Sequence, residues 1–226
     1  MKPLIIAIDG PSGVGKSTLG RALAAHLGCS FVESGAMYRA VGLKSIESGV
    51  DCRDVAAVTA LVERAEIRFV ETPAGMRVHL DGRDVTEAIR ASDVTDAASI
   101  VSTIPRVREL MVAQQRALGD SIHSVVMEGR DIGTVVFPSA DLKIYLDAAP
   151  DVRSTRRFND GESLGQITKS EVQEQIEERD RRDRTRQASP LTPADNAIHV
   201  DSSQLTAEEV LERVWSMVEA VAARKN

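Results

Sequence analysis

The residues with the clearest chemical meaning form a glycine-rich turn close to the start of the sequence. Residues 10–17 read Gly-Pro-Ser-Gly-Val-Gly-Lys-Ser and match G-x-x-x-x-G-K-[ST], the pattern of a phosphate-binding loop, or P-loop. Glycines let such a backbone curl so that its N–H groups point inward and no Cβ atom blocks a phosphate. The Lys16 ammonium can reach β- and γ-phosphates, and the Ser17 hydroxyl can ligate Mg²⁺. The turn therefore predicts a site for a nucleotide with its magnesium ion.

The elements on either side of this turn are those that a P-loop requires. Pro3 to Asp9 is a short β-branched run, typical of a buried parallel strand, and Lys16 to Leu27 reads as a helix. The start of that helix would direct unpaired amides and the positive end of its dipole at the phosphates. This context favours a true P-loop over a chance match on a glycine-rich turn.

Most of the remaining sequence alternates predicted strands with predicted helices, which indicates an α/β fold with a parallel sheet covered on both faces. We expect further strands at Ser30–Glu33, Ser124–Met127, Leu142–Leu146 and Ala197–Val200. We expect further helices at Gly35–Ser48, from Pro105, from about Pro150, from Lys169 to about Arg186, and at Glu208–Ala223.

Residues 51–103 interrupt this alternation. Ala56–Ala65 reads as a helix, whereas Glu66–Val70 and Met76–Leu80 alternate as paired strands around a turn that contains proline and glycine. A hairpin is not what a continuing βαβ unit would supply. We therefore predict a core made of residues 1–50 and 104–226, with residues 51–103 inserted as a small lobe.

Composition argues against several classes of protein. The formal net charge of −6 is unlike the basic excess of proteins that bind nucleic-acid polymers. No apolar run approaches the roughly 18 residues of a membrane span, and Asp9 and Gly10 directly follow the first apolar run, unlike a signal peptide. Cys29 and Cys52 show no metal-ligand spacing. We expect a cytoplasmic monomer that binds neither a membrane nor a nucleic-acid polymer.

A P-loop indicates a nucleotide but not a reaction. The sequence lacks the N-K-x-D motif of GTPases, and residues 125–131 do not form the acidic pair that closes a strand in many ATPases. Arginines instead follow the predicted strands: Arg39 lies beyond the second, and Arg130 beyond the one that ends at Met127. Ligands of parallel sheets bind outside the carboxyl ends of the strands. We therefore expect both arginines to converge near the P-loop, around a small anionic acceptor.

Several segments beyond the P-loop resemble bacterial cytidylate kinases. The agreement lies in Ile8–Thr18, Ser34–Ala40, Pro105–Glu109, Gly129–Pro138, Arg179–Arg184 and Asp201–Ser203. It covers nearly the whole chain, and Ser34–Ala40 and Gly129–Pro138 discriminate better than the P-loop does. Glu33 and Glu128 stand where the family usually has Asp, so the carboxylate is kept.

The resemblance implies a nucleoside monophosphate kinase-like enzyme that transfers the γ-phosphoryl group of ATP to CMP or dCMP with Mg²⁺. The inserted lobe would bind the acceptor, and a short lid at about residues 153–170 would close over ATP. The implied ATP-binding residues are Gly10, Pro11, Ser12, Gly13, Val14, Gly15, Lys16, Ser17, Thr18, Arg153 and Arg157. The implied CMP-binding residues are Ser34, Arg39, Ser99, Arg108, Arg130, Asp131, Arg179, Asp183 and Arg186. Lys16, Arg39, Arg130 and Arg157 would be catalytic, and Ser17 would bind the metal.

Arginines would hold the phosphate of CMP. Arg39 and Arg130 would grip it, with Arg186 able to join them, because guanidinium groups match phosphate oxygens bidentately. Arg179 and Asp183 would face the ribose. Residues 179, 183 and 186 share one helix face, although a dense mixed-charge run of this kind is often a solvated surface. Arg153 and Arg157, in the predicted lid, could likewise belong to a basic turn on the surface.

Ser99, Arg108 and Asp131 would read the base. We expect Asp131 to accept a hydrogen bond from N4 of cytosine, where uracil would present another acceptor. Other functions stay open on the residues themselves: a small P-loop kinase for UMP, shikimate or another acceptor, or a regulatory P-loop ATPase. The ATPase interpretation gives the acceptor-side arginines no purpose.

Overall fold

A computed structural model describes residues 3–72, 75–159 and 168–225. Its strands in chain order are β1 (Ile5–Asp9), β2 (Ser30–Glu33), β3 (Ile67–Thr72), β4 (Gly75–Leu80), β5 (Arg83–Asp84), β6 (Val125–Gly129), β7 (Leu142–Asp147) and β8 (Ile198–Asp201). Its helices are α1 (Lys16–Leu27), α2 (Gly35–Glu47), α3 (Val55–Val62), α4 (Ser92–Val101), α5 (Pro105–Ser121), α6 (Pro150–Asn159), α7 (Lys169–Thr185) and α8 (Ala207–Lys225). A 3₁₀ segment covers Ala88–Arg90 and a π-helical segment covers Ile132–Val136.

Within the described residues, five strands form a parallel sheet in the order β2-β6-β1-β7-β8. Strand β1 lies at its centre and carries side chains to both faces because successive residues of a strand point to opposite sides. Ile6 and Ile8 pack with apolar residues of α1 and α8, whereas Ala7 packs with Val112 of α5. This confirms the predicted α/β core with helices on both faces.

The predicted pairing of two strands is present in Ile67–Thr72 and Gly75–Leu80. Strands β3 and β4 pair antiparallel, with Ile67 opposite Leu80, and β5 extends this smaller sheet. The apolar cluster that contains it runs from Ala36 to Met111, so it includes α2 and the start of α5 as well as residues 51–103. The division of the chain at residues 51 and 103 stays a prediction.

The described chain has no helix that is both long enough and apolar enough to cross a membrane. Helix α8 is the longest, and its buried residues Val210, Val214 and Val218 form one stripe while charged residues occupy its other faces. Such an amphipathic pattern is that of a helix packed on a core.

Helices α2 and α4 approach closely at Gly42. A Cβ atom added there would lie 2.9 Å from Ala98 N, 3.0 Å from Ala97 Cβ and 3.1 Å from Val94 O. Two of these atoms belong to the backbone, so they cannot swing aside as the end of a side chain can.

Replacing Gly42 by Ala is therefore expected to lower the free energy of unfolding by about 1–3 kcal/mol, because overpacking outweighs the better helix propensity of alanine. Urea denaturation would measure the change. Gly35→Ala in the same helix is the control, because its added Cβ meets no atom within 4 Å. Equal stability of the two variants would show that α4 can move away at little cost.

Candidate functional site

A cavity of about 580 Å³ lies at the carboxyl ends of the parallel strands. Residues that follow β1, β2, β6 and β8 all line it, as the general rule for parallel sheets predicts. One side is the P-loop with the start of α1, and the other consists of polar residues from α2, α4, α5 and α7. A single cleft therefore contains both groups of predicted ligand-binding residues.

Two glycines give the P-loop its curled backbone. Gly13 and Gly15 have φ values of 77° and 93°, in the left-handed region that side chains disfavour. Gly15 immediately precedes α1, so the loop leads directly into the first turn of that helix. The amides of that turn are the groups that bind phosphate in such loops.

Glu128 connects two reactive side chains of the P-loop. The Ser17 hydroxyl donates to Glu128 Oε1 at 2.9 Å, and Lys16 Nζ lies 3.9 Å from Glu128 Oε2. Lys16 Nζ also donates to the carbonyl oxygen of Pro11 at 2.7 Å. Burial lowers the pKa of Lys16 to about 7, with a further contribution from the positive charge of Arg130. The loop thus carries a buried amine that an anionic ligand would keep protonated.

Asp9, at the end of β1, holds the segment that follows β6. Its carboxylate accepts from the amides of Ile132 at 2.8 Å and Gly133 at 2.7 Å. Burial raises the pKa of Asp9 to about 6, against the effect of these two hydrogen bonds. The contact fixes the turn on which Arg130 and Asp131 stand.

The donor set beside Ser17 is suitable for Mg²⁺. Hydroxyl and carboxylate oxygens are ligands that this hard cation accepts, and it usually takes few of them from the protein when phosphates and water complete its shell. No group of three or more His, Cys, Asp or Glu side chains that could hold a metal was found in the described part of the chain.

All nine residues that we predicted for the acceptor line the cavity, and ion pairs link most of them. Arg130 Nε donates to Asp183 Oδ2 at 2.7 Å, and Arg186 Nη1 donates to Asp183 Oδ1 at 3.0 Å. Asp131 accepts from Arg108, and Arg186 Nη2 lies 3.9 Å from its other oxygen. Acidic and basic side chains therefore hold one another in fixed positions around the cleft.

Four arginines from separate elements gather at the middle of the cavity. Burial lowers the pKa of Arg179 to about 9, and the charges of Arg130, Arg39 and Arg157 lower it further. Arg179 belongs to α7 and Arg130 to the turn that follows β6, whereas Arg39 belongs to α2 and Arg157 to α6. The fold therefore brings together cations that are far apart in the sequence. Such a concentration of positive charge is the electrostatic environment that a phosphate group requires.

Glu33 partly balances these cations at the end of β2. It accepts from Arg39, and its Oε2 lies 3.7 Å from Arg21 and 3.8 Å from Arg90. Arg39 and the other nearby arginines keep the pKa of Glu33 below its usual value although burial opposes this. Arg90 belongs to the 3₁₀ segment Ala88–Arg90, so Glu33 connects that segment to the sheet.

Three of the residues that we predicted to bind ATP do not line this cavity. Arg153, Gly10 and Pro11 are outside the set of described residues that line the cavity, whereas Ser12 to Thr18 and Arg157 line it. Arg153 is instead buried in an ion pair with Asp180. Gly10 has a packing role, since a Cβ atom there would lie 2.0 Å from the carbonyl oxygen of Leu146.

Residues 160–167, which form the middle of the predicted lid, lie outside the described residues. The residues on either side belong to α6 and α7. Thr168 precedes α7 and forms a capping box with Glu171, which accounts for where that helix begins.

Sequence reasoning missed the part of the cavity that follows β8. Ser202, Leu205, Thr206, Ala207 and Val210 line it together with Arg156. Arg156 donates to Ser202 Oγ at 2.9 Å, to the Ser202 carbonyl at 2.8 Å and to the Val14 carbonyl at 3.3 Å. The predicted strand before Ser202 was the available signal, because ligands lie beyond the carboxyl ends of such strands.

The parallel sheet, the P-loop and the arginine-lined cavity define an α/β protein of the P-loop kinase class. The family model described as cytidylate kinase matches residues 6–220. A cytidylate kinase from Solibacter usitatus is 46% identical over 220 residues, which are 96% of this chain and 93% of the relative. One from Corynebacterium glutamicum is 46% identical over 224 residues, 99% and 97% of the two chains. The chain belongs to the cytidylate kinase family.

Solved structures agree on the fold. A gluconokinase from Sinorhizobium meliloti superimposes with a TM-score of 0.50 at 16% identity, covering 99% of this chain and 98% of its own. An uncharacterised protein from Eubacterium ventriosum gives a TM-score of 0.52 at 9% identity, covering 96% and 98%. Identities this low carry no information on the acceptor.

Proposed function

We propose that this protein transfers the γ-phosphoryl group of ATP to CMP, and also to dCMP, which has the same base and phosphate. The observation that carries the proposal is the cleft itself, since Ser12 to Thr18 of the P-loop region and all nine predicted acceptor residues line one cavity. Membership of the cytidylate kinase family supports the choice of cytosine nucleotides. A cavity of this kind lets two nucleotides meet end to end.

The triphosphate of ATP would lie on the P-loop. Its phosphates would contact the amides at the start of α1, with Lys16 at the β- and γ-phosphates and Arg157 approaching from α6. The base would lie toward the residues that follow β8, beside Arg156. Ser17 would ligate Mg²⁺, with Glu128 holding its hydroxyl, and the ion would neutralise phosphate charge.

The phosphate of CMP would lie between Arg39 and Arg130, the two arginines expected to grip it, with Arg179 close to both. Near neutral pH a phosphate monoester has largely lost its second proton, so its oxygen attacks without a general base. The protein then has to align the two reacting groups, neutralise their charge and exclude water. Guanidinium groups fixed by Glu33 and Asp183 perform the first two tasks.

Asp131 would distinguish cytosine from uracil. Arg108 donates to its carboxylate and Arg186 Nη2 lies 3.9 Å from the other oxygen, while Arg108 Nη1 also donates to the Ser102 carbonyl at 3.2 Å. A carboxylate fixed in this way accepts from the amino group of cytosine but meets an acceptor in uracil. Ser99 would contact the same base from α4.

Replacing Asp131 by Asn is expected to lower the ratio of kcat/KM for CMP to that for UMP by about tenfold or more, since an amide can also donate to O4 of uracil. Steady-state kinetics with both acceptors would measure this ratio. Asp120→Asn, at an exposed position of α5, is the matched control. An unchanged ratio would mean that another residue reads this edge of the base.

The overall proposal is tested by ADP production from Mg-ATP with CMP, dCMP, UMP, AMP or shikimate offered separately, and with no acceptor. We expect fast turnover with CMP and dCMP. Preference for another acceptor would indicate a different small P-loop kinase, and equal turnover without an acceptor would indicate an ATPase. We further infer a monomer, because one chain supplies both ends of the cleft; light scattering would reveal a dimer. We also infer that it acts in the cytoplasm, on the ground of its membership of the cytidylate kinase family.

A further inference from the structure

A buried ion pair holds one residue of the P-loop by its backbone. The Ser12 amide donates to Asp180 Oδ1 at 3.1 Å, and Arg153 Nη1 donates to the Ser12 carbonyl oxygen at 3.1 Å. Arg153 also donates to the other oxygen of Asp180. The exposed fractions are 4% for Ser12, 6% for Arg153 and 4% for Asp180. Both polar groups of this residue's backbone are therefore bound by one salt bridge.

The two partners come from the helices on either side of residues 160–167. Arg153 belongs to α6 and Asp180 to α7, and α6 also contacts the loop through its backbone. A Cβ atom on Gly13 would lie 2.9 Å from the Arg153 carbonyl oxygen. The P-loop is thus packed against α6 and hydrogen-bonded to both helices.

The restraint acts beside the glycines of the P-loop. Ser12 lies between Gly10 and Gly13, and glycines leave a backbone more freedom than other residues do. A P-loop binds phosphate through the direction of its amides, so a small rotation of this segment would misalign them. Asp180 is adjacent to Arg179 in the sequence. The hydrogen bond between Asp180 and the Ser12 amide therefore also fixes the position of α7 relative to the loop.

We infer that the Arg153–Asp180 pair is a positioning device for the P-loop and that it sets the affinity for ATP. The inference rests on the proposed function, in which the P-loop binds the triphosphate. A contribution to stability is the alternative role, yet buried salt bridges are often replaced by apolar residues with no loss of stability. The expected effect is therefore on ATP binding rather than on folding.

The test is the double variant Arg153→Met with Asp180→Leu, which removes both charges and keeps similar volumes. Calorimetric titration with Mg-ATP, without an acceptor, should show a Kd raised at least about tenfold, because the P-loop segment at Ser12, no longer fixed from both sides, has to be ordered when ATP binds. The Kd for CMP should stay within about twofold, and Tm within a few degrees. Arg181→Met, an exposed arginine of α7, should bind ATP as the unaltered protein does.

Asp180→Asn gives a second measurement should the double variant fail to fold. Asparagine keeps an acceptor for the Ser12 amide but loses the charge that holds Arg153, so a smaller rise in the Kd for ATP, about threefold, is expected. The inference is overturned if ATP binds either folded variant with unchanged affinity, or if the affinities for ATP and CMP fall together with Tm. ATP binding is measured without an acceptor, so a protein that binds ATP but ignores CMP would contradict the proposed function and leave this inference standing.

Discussion

The Lys16→Met variant is expected to fold normally and to lose about three orders of magnitude in kcat, because charge stabilisation of the transition state is lost. Lys16 is buried at the start of α1, and its ammonium lies near Glu128 and the Pro11 carbonyl. Methionine has a similar length and fills the same space, but it supplies no charge at the phosphates. The reaction would then depend on the arginines and the magnesium ion.

The expected normal fold follows from the electrostatics of this position. Burial lowers the pKa of Lys16 to about 7, so the ligand-free fold disfavours the charged form of this amine. Removing it should leave Tm unchanged or slightly higher.

Steady-state kinetics with saturating ATP and CMP, together with thermal unfolding, would separate the two effects. Lys169→Met, exposed at the start of α7, is the control. A kcat within about threefold of the unaltered protein would remove Lys16 from the mechanism.

The P-loop region was predictable because its signals are local. The structure has α1 at Lys16–Leu27 and β2 at Ser30–Glu33, the bounds expected from the sequence. Gly28 ends α1 with φ at 60°, and its amide bonds back to the carbonyl of Ala25. A glycine in this conformation is a common helix terminator and can be read directly from a sequence.

Elements that depend on tertiary contacts were missed. The sequence of α4 is rich in β-branched and short polar residues, which are poor helix formers, and it offered no helix signal of its own. Packing against α2, which is tight at Gly42, stabilises this helix. Strand β5 has two residues and exists through its pairing with β4, so no periodicity could indicate it.

The family resemblance indicated which residues lie around the cleft, but it did not indicate which side chains they pair with. Residue spacing tells which side chains share a helix face but not what that face packs against. Arg153 and Arg157 are four residues apart, yet Arg153 pairs with Asp180 while Arg157 lines the cavity. In the same way Arg182 reaches Ser99 Oγ at 2.8 Å from within a charged run that resembled solvated surface. Such choices depend on the positions of α6 and α7 on the core.

Arg130 occupies the junction between the two ends of the cleft. Its charge is the principal electrostatic cause, after burial, of the lowered pKa of both Lys16 on the P-loop and Arg179 on α7. Asp183 holds it through Nε, and Asp9 holds the turn that carries it. A guanidinium group in this position can contact the acceptor phosphate and the transferred group together.

Replacing Arg130 by Met is therefore expected to reduce kcat/KM for CMP by about 10²- to 10³-fold, through loss of a bidentate phosphate contact and of transition-state charge. The Kd for Mg-ATP should change by less than about threefold, because the amides of the P-loop and Lys16 remain. Arg130→Lys keeps the charge without the guanidinium geometry, so its kcat/KM for CMP should lie between that of the unaltered protein and that of Arg130→Met. Arg213→Met, exposed on α8, is the control. Equal losses in ATP and CMP binding would show that Arg130 supports the fold of the cleft, and unchanged kinetics with CMP would remove it from the acceptor site.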